Sequence, residues 1–203
     1  MILYDENNPA PNPRRVRIFL AEKGVTLPTV RVKLHKREHK APEHRARNSL
    51  GQVPTLELAD GTMISESVSI CRYLESLHPT PALFGTTPLE GAQIDMMIRR
   101  VEFALMTPVG MFWRHAHPLT APLLTQFNEF GESNRPLYAS ACKWLDREIG
   151  NHTFIAGDAY TMADIIALTT IDFATFTGLE VPEECATLRA WHERVSARPS
   201  AAA

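Results

Sequence analysis

Cysteine is scarce. Cys71, Cys142 and Cys185 are widely spaced, odd in number and form no CxxC pair, so they read as reduced, mostly packing residues of a cytosolic protein. Long apolar runs are missing as well. Nothing approaches the roughly 20 residues that span a bilayer, and the opening residues lack the basic segment and apolar core of a secretory signal. Neither sign of charge dominates: 21 Lys and Arg against 23 Asp and Glu leave a net charge of -2, with no global pull toward nucleic acid or anionic membrane. A more local absence has larger consequences. From Asp5 to Gly24 there is no Ser, Thr, Tyr, Cys or His. That stretch includes "NPAPNPRRVRIFLAEKG", built like a strand-to-helix turn that holds an activated group at a helix N-terminus. A reaction at that helix end finds no side-chain nucleophile there.

What is present suits 203 residues of ordinary globular composition, 44% hydrophobic and 22% charged, enough for one large domain or two small ones. "MILY" reads as a short buried strand. Residues preceding proline are pushed out of the helical region, so Asn8, Ala10 and Asn12 are expected to be extended. The first helix is then expected to start at Pro13 with Asn12 as N-cap, to repeat Val16, Phe19 and Leu20 at helical spacing, and to stop at Gly24. "TVRV" alternates as a second strand. The basic stretch from Lys33 to Ser49 reads as loop plus a short helix. "VPTLELADGTMIS" reads as a hairpin with strands Val53 to Leu58 and Thr62 to Ile64 around an Asp60-Gly61 turn. "SESVSICRYLESLHP" reads as a helix capped by Ser65 and stopped by Pro79, with Ile70, Cys71, Leu74 and Leu77 inward.

Pro, Thr and Gly accumulate from Pro79 to Pro88, as in a linker. Beyond it no strand pattern occurs. Ile94, Ile98, Val101 and Leu105 line a long helix expected to end near Pro108. A second helical region follows Pro122, interrupted near Gly131 and Pro136, and reaches about Ile149. "TMADIIALTTIDFATF" is a third helix with Thr161 and Asp164 as capping box, and "PEECATLRAWHERVSARPS" a fourth. The expected division is residues 1–78, an α/β domain ordered βαβαββα; 79–88, a linker; and 89–203, an all-α bundle.

Four motifs in this order, "PRRVRIFLAEKG", "QVPTLEL", "ISESVSICRYLE" and "FIAGDAYTMADI", resemble those of the cytosolic glutathione S-transferase superfamily over nearly the whole chain. The resemblance implies a thioredoxin-like N-terminal domain, an all-helical C-terminal domain, a cytoplasmic homodimer and a transferase of the detoxification type. It implies glutathione as co-substrate and a small electrophile as the second partner, with neither nucleic acid nor membrane. It also implies a cis Val53–Pro54 bond, with the Val53 backbone pairing with the extended tripeptide; the plainer alternative is that Pro54 only sits at a strand edge. Ser67 is implied to hold the γ-glutamyl carboxylate at a helix N-terminus, where free N–H groups and the dipole attract anions. Glu66 is the partner for the ligand's ammonium. The glycine carboxylate takes Lys40, with His39 as second choice; Lys33, Lys36, Arg37, Arg45 and Arg47 read as a solvated face. His35, His39 and His44 have irregular spacing, joined by no cysteine or clustered carboxylate, so no metal is expected. Asp164 reads as structural.

Most catalytic members place a Tyr, Ser or Cys beside the ligand sulfur. Here the corresponding sites fall within Ala10-Pro11-Asn12, and Tyr4 lies too early, on the strand. A mechanism using a protein thiol loses its nucleophile; one using the glutathione thiolate does not need one. Asn12 is the expected donor to sulfur from the first helix, and His115, ahead of His117, from the helical domain. Ala10, Pro11 and Trp113 are expected to line the electrophile pocket. Two other readings stay open: a non-catalytic glutathione-binding or protein-interaction module, and a glutathione-dependent isomerase.

Overall fold

In the computed structural model, which describes residues 1–7 and 9–203, the opening apolar run becomes β1 (Ile2–Asp5). The helix after it, α1 (Pro11–Lys23), begins two residues earlier than expected. Ala10 does precede it in extended conformation, at ψ 112°; the same expectation for Asn8 lies outside the described residues. Asn12 is the second helical residue and caps nothing, against the reading of it as N-cap. The reason is that N–H groups in a first helical turn have no intrahelical acceptor, so Pro11 and Pro13 both fit there without losing a bond. Gly24 closes α1 at φ 62°, as expected.

β2 (Thr29–Arg31) runs parallel to β1, as a helical crossover requires. Two 3₁₀ turns, Leu34–Lys36 and Glu38–Lys40, lead to the short α2 (Pro42–Arg47). β3 (Thr55–Glu57) and β4 (Met63–Ser65) form the hairpin, both shorter or shifted relative to the expected strands. The sheet order is β2-β1-β3-β4. One face buries Tyr4, Val32 and Val53 with Ile2 and Leu34 packed against them. Leu3 and Leu56, opposite each other in register and both buried, belong to the other face because strand side chains alternate.

α3 (Ser67–Leu77) follows after one connecting residue. Ser65 is not its cap: it pairs with Thr55 and ends β4. Glu66 makes the whole change of direction at φ 68°, ψ 119°, a left-handed backbone that costs a non-glycine residue roughly 1–3 kcal/mol.

The chain divides into two units, Met1–Leu83 with Pro199–Ala203, and Phe84–Arg198. The break thus falls inside the stretch read as a linker. Its first part is packed: Leu83 is buried and donates its N–H to Glu75 at 2.9 Å. The last five residues do not group with the helical unit, as the expected 89–203 boundary had them. The 3₁₀ turn Pro199–Ala202 packs on α1, where Arg14 Nη2 donates to the Ala201 carbonyl at 2.7 Å and the Ser200 hydroxyl donates to Glu22.

In the second unit a Thr87–Glu90 capping box starts α4 (Pro88–Arg100). Ile94, Ile98, Val101 and Leu105 are buried, but the helix does not end near Pro108. A π segment, Val101–Met106, passes it on to α5 (Thr107–His115). Pro108 sits in the first turn of α5, where its missing N–H costs little. α6 (Asn128–Glu132) and α7 (Asn134–Ile149) follow; Pro136 is third in α7 and so does not interrupt it. α8 (Met162–Thr177) is buried on nearly every side, and α9 (Ala186–Ser196) packs against α7 and α8. No helix among the described residues is long and apolar enough to cross a membrane.

Candidate active site

The sheet collects the relevant residues at one end. The register Tyr4↔Thr55↔Ser65 sets the C-terminal ends of β1 and β4 beside the N-terminal end of β3. Asp5 leads from there toward α1, Glu66 and Ser67 start α3, and Val53-Pro54 enter β3. Ala10, Pro11 and Asn12 form the turn and first residues of α1.

The loop entering β3 is tied down before it reaches Val53. Gly51 has φ +57°, and a Cβ there would lie 2.6 Å from the His39 carbonyl oxygen, so only glycine lets the loop pass this close. Lys40 Nζ donates to the carbonyls of Leu50 (3.0 Å) and Gly51 (2.7 Å). His44 Nε2 (2.8 Å) and Asn48 Nδ2 (3.0 Å) both donate to the Gln52 carbonyl. The next bond, Val53–Pro54, is cis. Neither the backbone N–H nor the C=O of Val53 is engaged among the described residues, although its side chain is buried in the sheet cluster. The loop therefore offers one open backbone donor and one open acceptor at a rigid edge.

Beside it, Glu66 is exposed, and its carboxylate makes no hydrogen bond among the described residues. Ser67 is buried at the first position of α3, where its own N–H has no intrahelical acceptor. Its Oγ accepts from Arg15 Nη1 at 3.4 Å, and Arg15 is only 2% exposed. The neighbouring 3₁₀ turn holds the two expected carboxylate partners. Lys40 carries the charge. Burial and the adjacent Lys40 charge hold the His39 imidazole below its ordinary pKa, so it is the weaker cation at neutral pH.

At the end of α1 the donors are few. Pro11 and Pro13 have no N–H, which leaves Asn12 and Arg14 in the first turn. The Asn12 side chain is exposed and makes no hydrogen bond among the described residues. Tyr4 is committed elsewhere: its hydroxyl donates to Glu57 at 2.6 Å, and Arg47 lies 4.5 Å over its ring. That bond to Glu57, with burial, raises the Tyr4 pKa. Two acids ahead of the turn are structural. Arg17 bonds both Asp5 carboxylate oxygens at 2.9 and 3.0 Å, and Glu6 accepts from Arg31 and from the N–H of Asn7 and Leu34.

In the second unit the two histidines differ. His117 Nδ1 accepts from the Leu119 N–H at 3.3 Å and its ring lies 4.6 Å from Trp113, so it caps a 3₁₀ turn. His115 ends α5 with its ring between Phe127 (5.7 Å) and Phe130 (5.3 Å), and its buried Nδ1 has no hydrogen-bond partner among the described residues. Trp113 packs at 5.3 Å from Phe173 and 5.9 Å from Phe176, an aromatic wall on this unit. Gly131 brings α6 against the His115 turn: a Cβ there would meet Ala116 and His115 backbone at 2.7 Å. Gly131→Ala should therefore cost about 1–3 kcal/mol through overpacking, read as a lower denaturant midpoint, and should move the His115 ring resonances. An unchanged midpoint would contradict so close an approach.

Sequence reasoning missed His44, Asn48 and Gly51, whose polar and basic setting read as loop or solvated face. It also missed the roles of Arg15, which is buried, and of Arg14, which is bonded to Ala201. The only local signal for Arg15 was its place beside Val16 and four residues before Phe19, on the inward side of α1. Among the described residues no group of three or more His, Cys, Asp or Glu side chains converges. All three cysteines are buried and free, and burial pushes the Cys142 thiol up to about 12.

Residues 10–77 match the family model described as Glutathione S-transferase, N-terminal domain, and residues 119–199 that described as Glutathione S-transferase, C-terminal domain. Glutathione S-transferase 2 of Saccharomyces cerevisiae is 44% identical over 205 residues, covering 98% of this chain and 87% of that protein. The crystal structure of Gtt2 from Saccharomyces cerevisiae matches with a TM-score of 0.93 at 43% identity, covering 98% of each chain. A glutathione S-transferase domain-containing protein from Marinobacter aquaeolei VT8 matches with a TM-score of 0.92 at 38% identity, covering 98% of this chain and 99% of that one.

Proposed function

The chain belongs to the glutathione S-transferase family and is a glutathione transferase, and from that premise we propose that it adds the glutathione thiolate to small hydrophobic electrophiles without a covalent enzyme intermediate. The observation that carries this reading is the open backbone pair of Val53 beside the α3 N-terminus at one end of the sheet. An extended tripeptide pairs with Val53 as an added strand, with Pro54 holding that backbone outward. Its γ-glutamyl carboxylate takes the Ser67 hydroxyl and N–H, its ammonium takes Glu66, and its glycine carboxylate takes Lys40 with His39 alongside. Ala10 and Pro11 line the electrophile's side. The thiolate is held in place for attack, so orientation and electrostatics supply the rate. No metal takes part. We further propose a cytoplasmic homodimer, in keeping with the family and with three free cysteines.

The thiol is activated without a protein hydroxyl. A free thiol has a pKa near 8.5, and a helix N-terminus or nearby cations lower it; each unit is about 1.4 kcal/mol. Asn12 serves as second residue of α1, not as its cap. Its unbonded side-chain amide and its backbone N–H are the donors, supported by the two flanking prolines having none. His115 is the second donor or base, preferred to His117 because only His117 has its Nδ1 engaged. Asn12→Ala should raise the pKa of bound glutathione, seen as loss of thiolate absorbance near neutral pH; an unchanged titration removes Asn12 from the mechanism. The same titration on His115→Ala tests the second group. Turnover of chlorodinitrobenzene or another electrophile tests the whole reading, and retention on immobilised glutathione without turnover of any electrophile would overturn it.

A further inference from the structure

We infer that Arg15 is a positioning residue for glutathione: its buried guanidinium fixes the Ser67 hydroxyl as a donor aimed at the ligand's γ-glutamyl carboxylate. This rests on the reading of Ser67 given above and extends it to a residue on a different helix. A guanidinium carries only donors, so in the Arg15 Nη1–Ser67 Oγ contact at 3.4 Å the oxygen must accept. The single hydroxyl proton of Ser67 is then turned away from Arg15. It finds no acceptor among the described residues, although Ser67 is only 5% exposed. Inside a helix a serine proton commonly goes to the carbonyl four residues back. Ser67 is the first residue of α3, and four residues back is Met63 in β4, so that outlet is closed. A buried hydroxyl with its oxygen engaged and its proton unspent, beside helix N–H groups that attract anions, is set to donate to a carboxylate.

Rigidity comes from Arg15's own setting. It is 2% exposed, on the side of α1 that packs against α3. It also lies close enough to Cys71, one helical turn beyond Ser67, to act on that thiol electrostatically. A solvent-exposed arginine would sample many rotamers. A buried one holds Ser67 in one rotamer before the ligand arrives, which lowers the ordering cost of binding.

The test compares glutathione with 4-aminobutyryl-cysteinylglycine, the same tripeptide without the γ-glutamyl α-carboxylate. Calorimetric Kd and steady-state KM and kcat are measured for the wild type, Arg15→Met, Ser67→Ala and the double variant. The wild type should prefer glutathione, and Arg15→Met should cut that preference about tenfold, the range of one hydrogen bond to a charged group. Binding of the analogue and kcat at saturation should stay unchanged. Arg15→Met should have little further effect once Ser67 is alanine. If Arg15→Met weakens both ligands alike, or costs as much in the Ser67→Ala background, the proposal is overturned while the Ser67 reading stands. If the wild type does not distinguish the ligands, both fall. Should Arg15→Met not fold, Arg15→Gln carries the test, since its shorter side chain does not reach Ser67; wild-type preference in that variant overturns the proposal.

Discussion

Asp164→Ala should destabilise the protein by about 3–5 kcal/mol, the usual cost of removing one partner from a buried charged network. Asp164 is fully buried and takes four donors: the N–H of Ile155 at 3.0 Å, the N–H and hydroxyl of Thr161 at 2.9 and 3.1 Å, and Trp191 Nε1 at 2.9 Å. Alanine leaves all four without an acceptor in a space closed to water. Burial raises the Asp164 pKa even against those four donors, so desolvation of the charged form outweighs them. Since ordinary domains are stable by only about 5–15 kcal/mol, this loss takes a large share of the total. The denaturant midpoint, followed by Trp191 fluorescence, reads it. Asp164→Asn keeps one acceptor oxygen and should cost less. A midpoint within experimental scatter of wild type would show that Asp164 is not what ties α8 to α9 and to the Ile155 loop.

Ser67→Ala should raise KM for glutathione roughly 10–100-fold, the equivalent of one hydrogen bond to a charged group, about 1.5–3 kcal/mol. The hydroxyl acts on a carboxylate remote from sulfur, so kcat at saturating glutathione and the pKa of the bound thiol should move little. That split separates it from Asn12→Ala, which should move the thiol titration and leave the carboxylate site intact. Stability should change by less than binding, because the Ser67 side chain makes one hydrogen bond among the described residues, and that at 3.4 Å. A wild-type KM in Ser67→Ala would remove the γ-glutamyl carboxylate from the α3 N-terminus, and with it the orientation proposed for the tripeptide along Val53.

Much of the framework was legible because its causes are local. Val16, Phe19 and Leu20 repeat at helical spacing and are buried. Thr161 and Asp164 stand three residues apart, so their capping box needed nothing beyond the chain between them. The absence of hydroxyl and thiol side chains from Asp5 to Gly24 is a fact of sequence alone, and the proposal that glutathione brings the nucleophile starts from it. Local rules failed where two of them competed. Pre-proline sterics placed Asn12 outside α1, but the empty hydrogen-bonding positions of a first turn accommodate both prolines, and the helix took Asn12 in. Ser65 had the right chemistry for a cap, but pairing with Thr55 held it in the strand and gave the turn to Glu66.

The sequence by itself determined the element order, the hydrophobic faces, the Asp164 anchor and the lack of Ser, Thr, Tyr, Cys and His from Asp5 to Gly24, because each is set by residues within a turn or two of one another. Tertiary structure alone decided which arginine is buried, how the Gln52 carbonyl is held, and that residues 199–203 return to α1. Arg15 and Ser67 are 52 residues apart, and Arg14 and Ala201 are 187 apart. Periodicity, capping and turn chemistry describe a chain's preference for its own neighbours. They do not contain the positions that the chain brings together only when the sheet closes.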